Sequence, residues 1–376
     1  MAAHVLKRID WILVFFILPI LAAGLVTMKS FAPLEDAGSF FSKQIVWVLL
    51  SFAVFFVFSF IDFRFLKRTD VLVFLFLATS SILLALFVLG KIAHGSKSWF
   101  DFGSISFQPA DMMKLVLVLI LAKYFSRRHV EIKDVKHIFV SFFYALIPLI
   151  LILLQPDFGS AMIIFFIWFG MVLVSGISKT HLFLVFFGGM LIFISLWFFV
   201  FAPYQKARIV NFINPVADVH GTGYNAFQST IAVGSGQVMG KGLGFGTQSR
   251  LKFLPEPQSD FIFAAFAEEW GLIGSFLILL FYVLVIYRIL FSASLGAGNF
   301  EILYGLGIAI FFMSHILVNI GMNLGLMPIT GIPLPFMSYG GSHLLFEFIG
   351  LGILMSMRRY ARVAHRDEMS NEFLGA

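Results

Sequence analysis

The chain has 376 residues, of which 60% are hydrophobic and 12% are charged, and its formal net charge is +6 at pH 7. Soluble domains carry about 25% charged residues, so this composition excludes a water-soluble globular protein. The positive charge indicates no nucleic-acid partner, because basic loops beside anionic lipid account for most of it. The chain has no cysteine, which excludes disulfides, a thiol nucleophile and a cysteine-based metal site.

Apolar runs of roughly 17–25 residues alternate with short polar stretches, a pattern typical of α-helices that cross a membrane. The least apolar run is the fourth, because Asp111 and Lys114 lie in its first turn. We therefore predict an all-α polytopic membrane protein with a single membrane domain over residues 1–376. The ten predicted spans are approximately 11–28, 44–61, 70–90, 110–125, 138–154, 158–175, 182–201, 260–287, 301–324 and 343–357.

Most Lys and Arg residues fall in alternate loops, and the positive-inside rule then places both termini in the cytoplasm. The segment 123–137 and the cytoplasmic tail at 358–376 are predicted to be solvated, basic connectors. The first apolar run is predicted to be an uncleaved signal anchor, since nine further spans follow it.

One loop, residues 202–259 between spans seven and eight, is too long to be a simple connector, and this orientation places it outside. Within it, residues 223–238 are predicted to form short helices at the membrane interface. The other polar motifs also fall in outer loops, whereas the inner loops hold mostly Lys and Arg. The distribution of polar residues therefore predicts a site that faces outward.

Asp260 lies where a glycine-rich polar loop meets a long apolar helix. A carboxylate at that depth is half in water and half in lipid, so its partners can tune it for chemistry. A simpler interpretation is an acid in the first helical turn, stabilised by the helix dipole, with Ser259 as the cap. Pro255, Glu256 and Pro257 stiffen the approach to the helix, which favours an acid that is held in place.

Further acidic residues are candidates for the same site. Glu268 lies about 80° around the helix from Asp260, whereas Glu269 lies nearly opposite. Charges at that depth are costly, so both are expected to face protein or a water-filled cleft, and structural pairing is an alternative role. Asp157 lies in the outer turn QPDFG, where capping of the next span is the simpler interpretation.

Four basic residues lie on the outer side, against the positive-inside trend: Lys97, Lys114, Arg208 and Lys252. They indicate an anionic ligand such as a phosphate, and contact with lipid headgroups is the alternative.

His315, Asn319 and Asn323 recur at intervals of four residues in the ninth span. Such stripes usually hold helices together by hydrogen bonds, and a proton relay is the alternative. The glycines at 234–246 lack the spacing of a nucleotide-binding loop, and no His and acid cluster typical of zinc is present.

Taken together, the outer motifs resemble the SEDS family (shape, elongation, division and sporulation proteins). The loop strings GTQSRLKFLPE and GSKSW are more similar to the RodA branch than to the FtsW branch. Three departures are Asp111 for a glutamate, Ser98 for an arginine and Ser259 for a threonine. The matching strings are SWFDFG, FQPADMMK, QPDFGSA, YQKARIVNFINP, GYNAFQSTIAVGSG, GKGLGFGTQSRLKFLPEPQSDFIF, EEWG and GLMPITGIPLPFMSYGGS.

The resemblance implies a peptidoglycan glycosyltransferase that polymerises lipid II at the outer face of the bacterial cytoplasmic membrane during cell-wall elongation. It assigns the essential acid to Asp260. It also implies a growing glycan strand, a class B penicillin-binding protein and other elongation-complex membrane proteins as partners, with no organic cofactor.

We expect Asp260 to act as a general base and the outer cations to stabilise the leaving diphosphate. The long loop and the SYGGS segment that contains Ser338 are expected to form the walls of the cleft, and Glu256 and Glu268 are further substrate-binding candidates. A divalent cation, Mg²⁺ or Mn²⁺, would bind Asp260 or Asp157 if one takes part. The main alternatives are a lipid II flippase and a non-catalytic scaffold that recruits a crosslinking partner.

Overall fold

The computed structural model describes residues 9–30, 37–93, 96–101, 103, 106–127, 135–199, 205–207, 210, 212, 222–251 and 253–373. Twelve α-helices dominate this part of the chain, with a short 3₁₀ helix at Phe63–Lys67. The helices are α1 Trp11–Ser30, α2 Ala37–Phe60, α3 Thr69–Leu89, α4 Pro109–Ser126, α5 Val135–Leu153, α6 Phe158–Val174, α7 Lys179–Phe199, α8 Thr222–Ser235, α9 Thr247–Arg250, α10 Ile262–Ser294, α11 Asn299–Asn323 and α12 Gly341–Phe373.

Each of the ten predicted spans lies on one of these helices, which confirms the all-α fold class. Apolar segments form helices in lipid because the bilayer offers no water to bind the backbone polar groups. Among the described helices, six are long and apolar enough to cross a membrane, namely α1, α2, α3, α5, α10 and α11, and α6 and α7 contain shorter apolar stretches. The remaining two predicted spans are α4 and α12, which carry more charged residues.

Helix α11 lies at the centre of the bundle, where it packs against α10, α4, α6 and α12. Helix α2 packs along α12, and α1 packs along α10. Helix α7 instead exposes large apolar side chains, among them Phe183, Phe186 and Phe198, as expected of a helix that faces lipid. Polar side chains near the C-terminal end of α11 are therefore enclosed by protein.

A three-stranded antiparallel sheet between α3 and α4 was not predicted, because its strands are too short to show a clear alternation. Strand β1 (Lys91–Ala93) pairs with β2 (Ser96–Asp101), and Trp99 lies opposite Lys91. Strand β3 (Ser106–Phe107) pairs with the other edge of β2, and Phe107 lies opposite Phe100. Helix α4 begins directly after this sheet.

Helix α10 is interrupted at Gly271, whose φ of 66° and ψ of −162° are not helical. The preceding loop enters this break and forms backbone hydrogen bonds with the helix. Leu272 N donates to Gln237 O at 2.8 Å, and Lys241 N donates to Glu268 O at 3.0 Å. A Cβ added to Gly271 would lie 2.3 Å from the backbone nitrogen of Gly240, so only glycine permits this approach. The loop is thereby attached to the helix that follows Asp260.

The C-terminal segment differs from the prediction of a solvated tail that begins at residue 358. Helix α12 continues to Phe373, and Arg358 is buried. Its guanidinium contacts Asp10, which also accepts hydrogen bonds from Arg288 Nη2 at 2.7 and 2.6 Å. Arg358 was assigned to solvent because it follows the last apolar run, whereas its partner lies almost 350 residues earlier.

Candidate active site

Asp260 lies in a turn two residues before α10, and it is partly exposed. The helix begins at Ile262 with Phe261 as its cap residue, so Ser259 is not the cap that the simpler interpretation required. The carboxylate faces Gly331, where an added Cβ would lie 3.4 Å from Asp260 Oδ2. The acid is therefore accessible at one side and enclosed by the loop between α11 and α12 at the other.

The backbone carbonyl of Asp260 is held by the polar stripe of α11. Asn319 Nδ2 donates to this oxygen at 3.0 Å and Asn323 Nδ2 donates at 3.1 Å. Asn323 Oδ1 also accepts from Ala264 N at 3.1 Å, in the first turn of α10. The prediction that the stripe holds helices together is confirmed, and it holds them at the turn that carries the acid.

A second contact to this turn comes from the SYGGS segment before α12. Ser338 Oγ donates to Ser259 O at 2.6 Å and accepts from Leu334 N at 2.8 Å. Tyr339 N donates to Gln258 O at 2.8 Å. The Ser338 side chain is buried, so the structure places it against the backbone beside Asp260 rather than in the open part of the site.

Glu268 is completely buried, and loop donors surround its carboxylate. Lys241 Nζ donates at 2.7 Å, Thr247 Oγ1 at 3.1 Å, and the backbone nitrogen of Gln248 at 3.0 Å. Ser249 N adds a longer bond of 3.4 Å. Glu268 therefore has the structural pairing role that was its alternative, and it anchors residues 241–249 over the N-terminal part of α10.

Lys114 is not an outer-surface cation, since its side chain is only 1% exposed and its Nζ lies 2.9 Å from Asp111 Oδ1. His343 Nδ1 lies 3.2 Å from the same carboxylate oxygen, and His343 Nε2 lies 2.9 Å from Glu347 Oε1. The His315 ring lies 4.6 Å from the His343 ring. We call the first four residues, Asp111, Lys114, His343 and Glu347, the buried ionic cluster.

Lys114 was predicted to lie at the surface because it is close to a loop in the sequence. The spacing of Asp111 and Lys114, three residues apart in an apolar helix, is a signal for an internal pair. His343 and Glu347 have the same signal at a spacing of four residues.

Asp157 is the N-cap of α6, as its simpler interpretation predicted, and its Oδ1 accepts from Ser160 N at 3.0 Å. Its Oδ2 accepts from Gln108 Nε2 at 3.0 Å. Glu256 is exposed, adopts a positive φ of 43° and accepts from Gln258 Nε2 at 2.9 Å. This left-handed conformation, which residues other than glycine rarely adopt, shapes the turn that leads to Asp260.

The other predicted cations cannot be placed in the site. Arg208 and Lys252 lie outside the described residues, as does the side chain of Lys97, whose backbone is in β2. Within the described ranges, no group of three or more His, Asp or Glu side chains is placed to hold a metal ion. Binding of a divalent cation to Asp260 or Asp157 therefore stays a prediction.

A family model described as a cell cycle protein, covering FtsW, RodA and SpoVE, matches residues 6–363. The peptidoglycan glycosyltransferase MrdB of Escherichia coli strain K12 is 35% identical over 295 residues, which cover 77% of this chain and 78% of MrdB. Stage V sporulation protein E of Bacillus subtilis strain 168 is 35% identical over 369 residues, which cover 94% of this chain and 98% of that protein. The chain belongs to the SEDS family.

A solved structure agrees with this membership. One chain of a peptidoglycan synthase complex that coordinates polymerization and crosslinking superposes with a TM-score of 0.79 and 30% identity. The match covers 94% of this chain and 98% of that chain. Since MrdB and the sporulation protein are equally similar, the preference for the RodA branch stays a prediction from loop motifs.

Proposed function

We propose that this SEDS protein is a peptidoglycan glycosyltransferase that polymerises lipid II into β-1,4-linked glycan strands at the outer face of the cytoplasmic membrane. The observation that carries the proposal is the placement of Asp260. It is a partly exposed acid whose backbone is fixed by two asparagines, Asn319 and Asn323, and whose neighbours are fixed by Ser338 and Tyr339. The activity printed for the relative MrdB supports the same conclusion.

In the proposed reaction, the Asp260 carboxylate accepts the proton of the GlcNAc 4-hydroxyl of one lipid-linked disaccharide. The hydroxyl oxygen forms a bond to the MurNAc anomeric carbon of another, and the bond from that carbon to the diphosphate breaks. The configuration inverts from α to β, and undecaprenyl diphosphate leaves with the electron pair. No nucleotide is required, because the phosphosugar bond supplies the energy.

General-base catalysis contributes about 10²–10⁴-fold, so much of the remaining acceleration must come from holding the two sugars in place. The loops around Asp260 are suited to this task because they are attached to rigid helices. Arg208, Lys252 and Lys97 are the proposed partners of the leaving diphosphate. Lys114 is excluded from that role by its burial against Asp111.

A Mg²⁺ or Mn²⁺ ion held by Asp260 or Asp157 would share the stabilisation of the diphosphate. We further propose that the protein acts in elongation with a class B penicillin-binding protein, which crosslinks the strands. The assembly of the superposed relative into a synthase complex supports such a partner.

The proposal predicts that Asp260→Ala and Asp260→Asn abolish glycan synthesis, because neither side chain accepts the hydroxyl proton. Purified protein in liposomes would be assayed with labelled lipid II, with and without a class B partner, and with a chelator or added Mg²⁺. Thermal unfolding would establish that both variants remain folded.

Retained synthesis in both variants would contradict the role of Asp260 as the base. Transfer of labelled lipid II between leaflets without any glycan, under every condition, would instead favour the flippase.

A further inference from the structure

The turn formed by residues 334–340 connects the buried ionic cluster to the segment that carries Asp260. Within this turn, Phe336 is buried and has a φ of +61°. A bulky side chain rarely adopts this left-handed conformation, and it persists only where the surroundings hold it. The 334–340 turn therefore depends on contacts from outside itself.

Glu347 supplies such a contact from the second turn of α12. Its Oε2 accepts a hydrogen bond from Phe336 N at 3.1 Å, and its side chain is fully buried. The Phe336 ring packs at 5.1 Å on Phe312 and at 5.6 Å, edge to face, on Phe348. Among these contacts, only the one from Glu347 is made to the Phe336 backbone, and Tyr282 Oη donates to Pro335 O at 2.6 Å on the other side of the same peptide bond.

Glu347 is itself held by His343. Glu347 Oε1 and His343 Nε2 are 2.9 Å apart, within ion-pairing distance. The other ring nitrogen of His343 contacts Asp111, which pairs with Lys114. Glu347, which accepts from Phe336 N, is thus the last member of a series of ion pairs that begins with Lys114 and Asp111 in α4.

The opposite end of the turn contacts the residues before Asp260. Ser338 Oγ donates to Ser259 O, and Tyr339 N donates to Gln258 O. Only one residue separates Phe336 from Ser338, so a change in the Phe336 backbone displaces the donors that fix 258–259.

We propose that Glu347, oriented by His343, is a positioning residue for Asp260, acting through the 334–340 turn. This inference rests on the proposed role of Asp260 as the catalytic base. In this proposal the buried ionic cluster holds Asp260 in place and does not contact the substrate.

The test measures turnover and backbone protection in the full-length protein in liposomes. Glu347→Ala removes the acceptor for Phe336 N, whereas Glu347→Gln retains an acceptor oxygen. The matched control is Glu301→Gln, which removes a buried charge paired with Lys67 at 2.5 Å at the other end of α11. Asp260→Asn is assayed in parallel.

For Glu347→Ala we expect kcat for lipid II polymerisation to fall by about 10²-fold with little change in KM, because small displacements of a catalytic group have effects of this size. Hydrogen exchange of a peptide that contains Phe336 and Tyr339 should accelerate. Glu347→Gln should recover most of both properties, and Glu301→Gln should change neither.

Wild-type kcat and protection in Glu347→Ala, beside an inactive Asp260→Asn, would overturn the positioning role and leave the proposed function intact. Activity in Asp260→Asn would instead contradict the proposed base. If Glu347→Ala does not fold, Ser338→Ala breaks the same path at its other end. An unchanged kcat in that variant would likewise overturn the inference.

Discussion

Asn319 and Asn323 both donate their side-chain amides to one backbone oxygen, that of Asp260. Asn319 Nδ2 also donates to Ile332 O at 2.7 Å, so one buried amide joins the turn before α10 to the loop before α12. A buried carbonyl that loses its donor keeps the full cost of its desolvation. At the residue scale, buried amides thus hold the backbone that carries the acid.

Asn319→Leu is predicted to lower the free energy of unfolding by about 1–3 kcal/mol, because Ile332 O loses its side-chain donor and Asp260 O loses one of two. Glycan synthesis should fall as well. Unfolding in mixed micelles and the liposome assay would measure the two effects. The control is Ser314→Ala on the same helix, whose hydroxyl binds only Ile310 O among the contacts described; equal losses in both variants would contradict the prediction.

At the scale of elements, α10 and the loop before it form one unit. The break at Gly271 admits the loop backbone, and two successive acids of the helix bind it. Glu268 accepts from Lys241 and Gln248, and Glu269 Oε1 accepts from Gly244 N at 3.0 Å. The loop at 241–249 is therefore ordered by the helix that follows Asp260.

Glu268→Ala is predicted to release residues 241–249. The substitution removes the carboxylate that accepts from Lys241, Thr247 and Gln248, and it leaves the Lys241 ammonium without its acidic partner. Loss of one partner of a buried pair costs about 3–5 kcal/mol. The lower end applies here, since the Lys241 side chain is 28% exposed. Limited proteolysis of the loop would report its release. Glu269→Gln should be milder because its carboxylate accepts fewer loop donors, and comparable cleavage in the two variants would refute the assignment.

At the scale of the molecule, Asp10 closes one end of the bundle, where it joins the start of α1 to α10 and α12. Burial raises the pKa of Asp10, but the hydrogen bonds and charges of Arg288 and Arg358 more than offset it, so the pKa is lowered. A lowered folded pKa means that the stabilisation is complete above the unfolded value of about 3.9. It is lost as pH falls through the lower folded value.

Asp10→Asn is predicted to destabilise the protein by about 3–5 kcal/mol at neutral pH, because two largely buried guanidinium groups lose their carboxylate. The difference from wild type should shrink as pH falls below about 4. Unfolding in detergent from pH 7 to pH 3 would measure it. Asp62→Asn, which breaks an exposed pair with Arg64, should change little at any pH. A pH-independent difference for Asp10→Asn would exclude the charge as its cause.

The amino-acid sequence alone determined the membrane fold, because a run of apolar residues has only one favourable backbone structure in lipid. It also located Asp260, through the contrast between a polar loop and an apolar helix, and it placed the asparagine stripe on one helix face. These are local properties, because each depends only on residues within a few helical turns of one another in the sequence.

The tertiary structure decided which polar groups face one another. Arg358 follows the last apolar run and Lys114 lies near a loop, so local reasoning assigned both to water. The fold buries each against an acid, Asp10 for Arg358 and Asp111 for Lys114. Lys114 has its acid one turn away, but His343, which shares that acid, and Asp10 come from distant segments. A buried charge is stable only beside such a partner, and the partner is chosen by the packing of helices far apart in sequence.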